Sequence, residues 1–174
     1  MIARWSPASI LLHWASAAVI VALLVIGWSM LRLFDAPTRF DLYQLHKSLG
    51  VLALALFVAR LAARALTRTP PPFPGPEWEM RAARWTHAAL YVLTGAAILA
   101  GWVTASSAPL PIPTVVFGLF RWPDIAPRDP RVFAVASAAH AYVAYGLAGL
   151  AALHAGAALK HALWDRDGAM RRMV

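Results

Sequence analysis

A chain of 174 residues that is 60% hydrophobic, only 14% charged and contains eight tryptophans has the composition of an integral membrane protein, because soluble domains usually carry about 25% charged residues. Its length allows one compact bundle, and the absence of cysteine excludes disulfides, thiolate-bound iron–sulfur clusters and covalently attached haem. The net charge of +8 does not indicate nucleic acid as a partner, since the basic residues flank apolar stretches, where they set the orientation in a bilayer.

The first two predicted membrane helices each carry a histidine near their N-terminal end. The first runs from about Ser9 to Leu33 and contains His13. It is longer than the roughly 7–15-residue core of a signal peptide, so we interpret it as a retained helix. A short polar turn, Asp35 to Asp41, leads to the second helix, about Leu42 to Leu66, which contains His46.

Two connections and two further helices complete the chain. The proline-rich linker Thr67–Pro76 predicts an extended connection to the third helix, about Ala82 to Ala105. The next connection contains an apolar patch, Val115 to Trp122, which we expect at the membrane interface. The fourth helix covers about 132–163. The sequence thus predicts an all-α integral membrane four-helix bundle that forms a single domain over 1–174.

The fourth helix carries three histidines, His140, His154 and His161, at intervals of 14 and 7 residues. In an α-helix 14 residues turn almost four full circles and rise about 21 Å, so His140 and His154 share one face. Against a hydrocarbon core of about 30 Å, this spacing places one imidazole towards each side of the membrane. Polar rings are costly in lipid, so we expect them to face the bundle interior.

The up-and-down order of the helices gives both of these histidines a partner at the same depth. His13 falls at the depth of His154, on the inner side, and His46 at the depth of His140, on the outer side. Two neutral imidazoles that face each other across a bundle fit the two axial positions of a haem iron. A single histidine could simply be hydrogen-bonded, but four at matched depths predict two haem sites.

Other residues have more than one interpretation. Arg60 lies 14 residues after His46, on the same face but near the inner site, where a guanidinium can pair with a haem propionate. For His87 we favour packing over a quinone contact. His161 could hydrogen-bond a quinone carbonyl or meet water. The glycines within the helices could let porphyrins approach the backbone or allow close helix packing: Gly27, Gly50, Gly95, Gly101, Gly146 and Gly149.

Lysine and arginine are unevenly distributed between the two sides of this predicted bundle. Ten lie on the side of the N-terminus and six on the opposite side. Because the more basic side usually stays in the cytoplasm, we expect both termini there.

Motifs along the whole chain match one known family. They are Ile-x-x-His13-Trp14, His46-x-x-x-Gly50, Val58-x-Arg60-x-x-x-Arg64, His87 with Gly101, His140, His154-x6-His161 with Trp164, and the tail Met170–Met173. With these motifs the chain resembles the bacterial cytochrome b561 family of small four-helix di-haem membrane proteins.

The resemblance implies a cofactor content of two haem b, ligated by His13 with His154 and by His46 with His140. It also implies electron exchange with membrane quinone, for which His161 and Trp164 are candidate contacts. Some similar proteins oxidise superoxide on the outer side and reduce ubiquinone. The family often has a second histidine where this chain has Ala162, a departure that concerns the quinone site.

We therefore predict an oxidoreductase of the bacterial inner membrane that passes electrons from an outer donor, such as superoxide, to membrane quinone. Basic residues of the outer loops could attract an anionic donor, or could be ordinary solvated side chains. One alternative is a cytochrome b anchor subunit that relays electrons for a larger enzyme such as a hydrogenase or formate dehydrogenase. The other is a histidine-based metal or proton transporter, which is disfavoured because no Asp or Glu falls in the middle of a predicted helix.

Overall fold

Four long helices form the body of the protein in a computed structural model that describes residues 4–32, 35–71 and 74–174. Each of the four is long and apolar enough to cross a membrane. They confirm the predicted all-α, four-helix membrane fold. The helices are α1, Pro7–Ser29; α2, Ala36–Leu66; α3, Glu77–Ser107; and α4, Pro130–Lys160.

Side-chain caps decide where three of these helices begin. Ser6, Asp35 and Asp129 each accept a backbone N–H from the first turn of α1, α2 and α4, and a proline lies at the first or second position of each helix. Helix α2 therefore begins at Ala36, in the stretch where the sequence analysis expected a polar turn up to Asp41. Hydrophobicity marks the part of a helix that contacts lipid, whereas the cap marks its first residue. The last predicted residue of the first span, Leu33, lies outside the described residues.

The helices associate as two pairs. Helix α1 packs chiefly against α2, and α3 packs against α4, while α2 and α3 make a smaller contact. Among the described residues the buried apolar side chains are few: Met30, Ala53, Val116 and Leu147. Large apolar side chains such as Val21 and Leu153 are instead exposed. This outward apolar surface is what a bundle in lipid requires, because lipid tails solvate such side chains as well as a protein core does.

A β-hairpin lies in the connection between α3 and α4. Its strands are β1, Thr114–Val116, and β2, Phe120–Trp122, and they pair antiparallel. Residues 117–119 connect the strands, and the N–H of Leu119 donates to the carbonyl of Val116 at 2.8 Å. Phe117 and Gly118 have φ of 47° and 75°, the left-handed geometry that the central residues of some tight turns adopt. The sequence analysis expected an apolar interfacial patch here and did not predict the hairpin, because three-residue strands are too short to show an alternating pattern.

Ser48 attaches this hairpin to α2. Its side chain is only 1% exposed. Its Oγ accepts the backbone N–H of Phe117 at 3.0 Å, and its hydroxyl has the carbonyls of Gln44 at 2.9 Å and Val115 at 3.3 Å within reach. Because Ser48 lies two residues after His46, the hairpin covers the end of the bundle that contains His46, which we call the hairpin end.

The opposite end of the bundle contains the start of α1 and the C-terminal residues, and we call it the terminal end. There α4 continues into a π-helical turn, His161–Asp165. The chain then reverses through Arg166 and Gly168, both with positive φ, and forms a short 3-10 helix, Ala169–Arg172. Residues 168–174, the C-terminal segment, fold back onto the start of α1.

We expect Ser48→Ala to destabilise the protein by about 1–3 kcal/mol, because the buried N–H of Phe117 would lose its acceptor. The measurement is the apparent melting temperature of purified variants in detergent, followed by intrinsic fluorescence. Ser137→Ala is the matched control, since the Ser137 hydroxyl bonds only a carbonyl of its own helix, that of Ala134. Equal melting temperatures for the two variants would contradict the anchoring role.

Candidate functional site

Two histidines face each other at the hairpin end, His46 from α2 and His140 from α4. Their ring centroids are 6.1 Å apart and their planes are inclined by 88°. Nδ1 of His140 lies 2.9 Å from the backbone oxygen of Ala97 on α3. Because a carbonyl oxygen can only accept, Nδ1 carries the proton and Nε2 keeps its lone pair. His140 is thus held in the tautomer that binds a metal through Nε2.

His46 has a polar atom without a partner. Its Nδ1 is buried and makes no hydrogen bond to any residue that the structure describes. Such buried orphan atoms are rare in proteins and call for a partner. When two imidazoles share one first-row metal ion, with metal–nitrogen bonds of about 2.0–2.1 Å as for zinc, their centroids lie roughly 6 Å apart. The spacing of His46 and His140 therefore fits a single metal ion held between them.

Two glycines make room for these rings. A Cβ on Gly101 would lie 2.9 Å from Cε1 of His140, and a Cβ on Gly27 would lie 3.2 Å from Cε1 of His46. At Gly50 and Gly146 a Cβ would meet nothing within 4 Å. The sequence analysis considered close porphyrin approach or helix packing for the glycines; at Gly27 and Gly101 the close neighbour is a histidine ring.

A second pair of histidines lies at the terminal end, His13 from α1 and His154 from α4. Their centroids are 6.2 Å apart with planes inclined by 72°. A third ring, His87 of α3, lies with its centroid 5.3 Å from that of His154. From the sequence we favoured a packing role for His87, but the structure places its ring beside His154. The predicted position of His87, near the inner end of the third helix and at the depth of His13, could have indicated this.

Arg60 and its neighbours surround the pair at the terminal end. Nη2 of Arg60 lies 3.3 Å from Nδ1 of His13. Because arginine can only donate, Nδ1 accepts here and the proton is on Nε2. Metal binding through Nε2 needs the other tautomer, and Arg60 would then turn to another acceptor. The Tyr91 ring lies 5.3 Å from the guanidinium carbon of Arg60 and 6.0 Å from that of Arg64. Tyr91 was not predicted, although it follows His87 by one helical turn.

His161 and Trp164, which the sequence analysis assigned to one quinone site, have different surroundings. Trp164 is 88% exposed on the outside of the bundle. His161 lines a cavity of about 370 Å³ together with Ala162 and residues of the C-terminal segment. Cavities of roughly 300–1,000 Å³ commonly hold small molecules. The cavity is therefore a candidate site for a small ligand, and Trp164 is not among its lining residues.

A carboxylate orients His161 in this cavity. Nδ1 of His161 lies 2.6 Å from Oδ2 of Asp167 and 3.3 Å from Oδ2 of Asp165. Asp165 also pairs with Lys160 at 2.6 Å. Partial burial raises the pKa of Asp167, but hydrogen bonds from the Ala169 N–H and from His161 outweigh this effect and hold the pKa below its usual range. Asp167 is therefore ionised at neutral pH and accepts a hydrogen bond from the Nδ1–H of His161, so that Nε2 is left to contact a ligand.

An apolar four-helix bundle with imidazole pairs facing across its interior has the architecture of a membrane b-type cytochrome. The model of the family described as prokaryotic cytochrome b561 matches residues 4–174. The chain is also 30% identical over 175 residues to "cytochrome b561 homolog 2" of Escherichia coli (strain K12), an alignment that covers 98% of this chain and 91% of that protein. The chain belongs to the prokaryotic cytochrome b561 family, as its motifs predicted. It is a bacterial membrane protein of a family that binds b-type haem and transfers electrons across membranes.

We expect Gly101→Ala to reduce the b-type haem content of the purified protein, because the added methyl group would displace the ring of His140. Loss of ligand orientation typically weakens metal-site affinity by about 10–100-fold. The measurement is the reduced-minus-oxidised absorption band per protein. Gly146→Ala on α4 is the control, since its Cβ meets nothing within 4 Å. Equal haem content in both variants would show that Gly101 does not protect the ring position.

Proposed function

We propose that this chain, as a single domain over 1–174, holds two b-type haems at two depths and carries electrons between them. His46 with His140 and His13 with His154 are the proposed axial ligands. The observation that carries the proposal is the spacing of the two pairs, with centroids 6.1 Å and 6.2 Å apart. The haem irons would supply reversible one-electron chemistry at the two depths.

Two buried apolar side chains lie between the two sites. Ala53 on α2 lies midway between His46 and Arg60, and Leu147 on α4 lies midway between His140 and His154. Both are buried, at 6% and 5% exposure. With about 21 Å along each helix from one site to the other, these side chains occupy the middle layer of the bundle. They would exclude water from the path between the sites and keep the two ligand pairs at a fixed separation.

Residues around the pair at the terminal end are suited to hold the propionate groups of a haem. Arg60, released from His13 when that ring binds iron, would pair with a propionate carboxylate. The guanidinium carbon of Arg64 lies 6.0 Å from the ring centroid of Tyr91. The ring contacts would keep both guanidinium groups in place through cation–π attraction.

The proposed orientation places both termini in the cytoplasm, because ten of the sixteen basic residues lie on that side. The hairpin end then faces the periplasm and the terminal end faces the cytoplasm. Electrons would enter at the hairpin end from an outer donor and leave at the terminal end.

We propose membrane quinone as the acceptor, bound in the cavity beside His161. This residue follows His154 by seven positions, about 10 Å along the helix, so a quinone there would lie near the inner site. In its protonated form His161 can donate its Nε2–H to a quinone carbonyl while its Nδ1–H donates to Asp167. Trp164, which is exposed, would contact the lipid around the quinone tail rather than its headgroup.

For the donor we propose superoxide, drawn by the basic residues of the outer side. An attractive field of several positive charges raises the encounter rate of an anion, and added salt screens it. The outer basic residues are Arg32, Arg39, Lys47, Arg121, Arg128 and Arg131.

Replacing a ligand of one pair should remove one haem and leave the other. His140→Ala is expected to lower the haem content from two per chain to about one, because an iron coordinated by a single imidazole is held far less tightly. His154→Ala should do the same while leaving a spectroscopically different haem. Haem is counted by pyridine haemochrome and protein by amino-acid analysis. His161→Ala, the control, should retain both; equal loss of both haems in either ligand variant would refute two separate sites.

The superoxide proposal predicts a rate that depends on charge and salt. Arg128→Gln should slow haem reduction by superoxide about two- to threefold at low salt, and the difference should shrink as salt is raised. The rate is measured by pulse radiolysis of the oxidised holoprotein. Arg84→Gln, at the other end of the bundle, is the matched control. A superoxide rate that is independent of salt would exclude steering by these residues.

A further inference from the structure

The cavity beside His161 owes its shape to the C-terminal segment. Gly168, Met170 and Val174 line it together with His161 and Ala162 of the π-helical turn. The chain reverses at Arg166 and Gly168, both with positive φ, and the segment returns towards the start of α1.

Hydrogen bonds to the start of the chain hold the segment in this place. The backbone N–H of Trp5 donates to the carbonyl of Arg172 at 3.2 Å. Nε1 of Trp14 donates to the carbonyl of Met173 at 2.8 Å, and Nε of Arg4 donates to that of Arg171 at 3.2 Å. The wall of the cavity is therefore fixed to α1, the helix that carries His13.

The carboxylate of Asp167 is fixed in turn by the backbone of this segment. Its Oδ1 accepts the N–H of Ala169 at 2.8 Å, while its Oδ2 contacts Nδ1 of His161 at 2.6 Å. One carboxylate thus links the segment to the imidazole that lines the cavity. An Nδ1–H that points at a carboxylate fixes both the tautomer and the orientation of the ring, and directs Nε2 to the ligand.

We propose that Asp167 is a positioning residue that makes His161 the proton donor for quinone reduction in this cavity. The proposal rests on the quinone acceptor of the proposed function and adds to it the source of a proton and the role of the C-terminal segment. Both side chains are partly exposed, at 29% for His161 and 27% for Asp167. The pair can therefore exchange protons with water at the terminal end.

Reduction of a quinone to a quinol takes two electrons, supplied one at a time by the reduced cytochrome, and two protons. The Nε2–H bond of a protonated His161 breaks and an O–H bond forms on a quinone carbonyl oxygen. The neutral imidazole then takes a proton from water, and the second oxygen receives its proton by the same route or directly from water.

Charges of both signs surround His161, and Asp167 is the nearest. The other carboxylate on the same turn, Asp165, is shared with Lys160. Lys160 also lies 3.7 Å from Glu79 of α3. The basic residues that line the cavity are Arg166 and Arg171. Among these charged groups the carboxylate of Asp167 has the shortest contact with Nδ1 of His161, 2.6 Å against 3.3 Å for Asp165.

The test is the reoxidation of the dithionite-reduced holoprotein by ubiquinone-1, followed by stopped-flow absorption of the haem band from about pH 6 to 9. Asp167→Asn should slow reoxidation about tenfold at neutral pH, since a positioned acid typically contributes about 10²–10⁴-fold. The dependence of the rate on pH should also differ from that of the wild type, because a neutral amide has replaced the carboxylate beside the proton-donating ring. Asp167→Glu should restore part of the rate and of the pH profile.

Two further measurements separate proton supply from binding and folding. The affinity of the oxidised protein for ubiquinone-1, measured by tryptophan quenching, and the haem spectrum should be the same in Asp167→Asn and wild type. Glu79→Gln removes one negative charge at the same end without touching His161 and should change the rate less than about twofold. His161→Gln should be slow at every pH.

The outcomes distinguish this inference from the proposed function. A wild-type protein that carries b-type haem but is not reoxidised by ubiquinone-1 would overturn the quinone acceptor itself, and this inference with it. Rapid reoxidation of the wild type, with the same rate and pH profile in Asp167→Asn, would overturn only the role of Asp167. If Asp167→Asn changed only the affinity for ubiquinone-1, the proposal that Asp167 positions His161 as a proton donor would also be overturned.

Discussion

Histidine rings that face each other in pairs across the bundle interior are the constraint on which the rest of this fold depends. The two helix pairs, α1 with α2 and α3 with α4, are bridged at the hairpin end by His46 facing His140 and at the terminal end by His13 facing His154. Few apolar side chains are buried in the described parts of the chain, and the exterior is apolar. In a bilayer such a bundle gains little from hiding apolar surface, so packing and polar contacts between helices hold it together. A cofactor bound by both pairs of helices would add to that cohesion.

The two histidine pairs differ in how firmly their rings are preset. The Nδ1–H of His140 donates to the backbone carbonyl of Ala97 on α3, and the helix backbone fixes the position of this acceptor. His13 is instead contacted by the side chain of Arg60, which has rotatable bonds and would have to move before Nε2 could bind iron. A contact to the backbone fixes the ring of His140 in the tautomer that leaves Nε2 free, whereas the contact from Arg60 holds His13 in the opposite tautomer. The site at the hairpin end is thus the more preorganised of the two proposed haem sites.

The periodicity of the sequence predicted the helices and the pairing of their histidines, because an interval of 14 residues keeps two side chains on one helix face and the order of helices fixes their depth. The same reasoning could not predict contacts that depend on chain reversal. The hairpin is fixed by Ser48, far from it in sequence, and the C-terminal segment is fixed by Trp5 and Trp14 at the other end of the chain. Tyr91 was missed for a different reason: a tyrosine in an apolar helix gives no signal until the guanidinium groups beside it are located.

Different chemical groups lie at the two ends of the bundle, and this difference fits the function proposed for each end. At the hairpin end the buried hydroxyls of Ser48 and Ser106 accept backbone N–H groups of the connection between α3 and α4. These hydroxyl contacts involve no titratable group, and the entry of an electron needs proximity but no proton. The terminal end is closed by a segment that brings ionised and titratable side chains, among them Asp167 against His161. Reduction of a quinone consumes protons as well as electrons, and in the described structure this end joins an imidazole, a carboxylate and a cavity. The direction of electron flow proposed for this protein therefore follows from where protons can be supplied as much as from where the histidines lie.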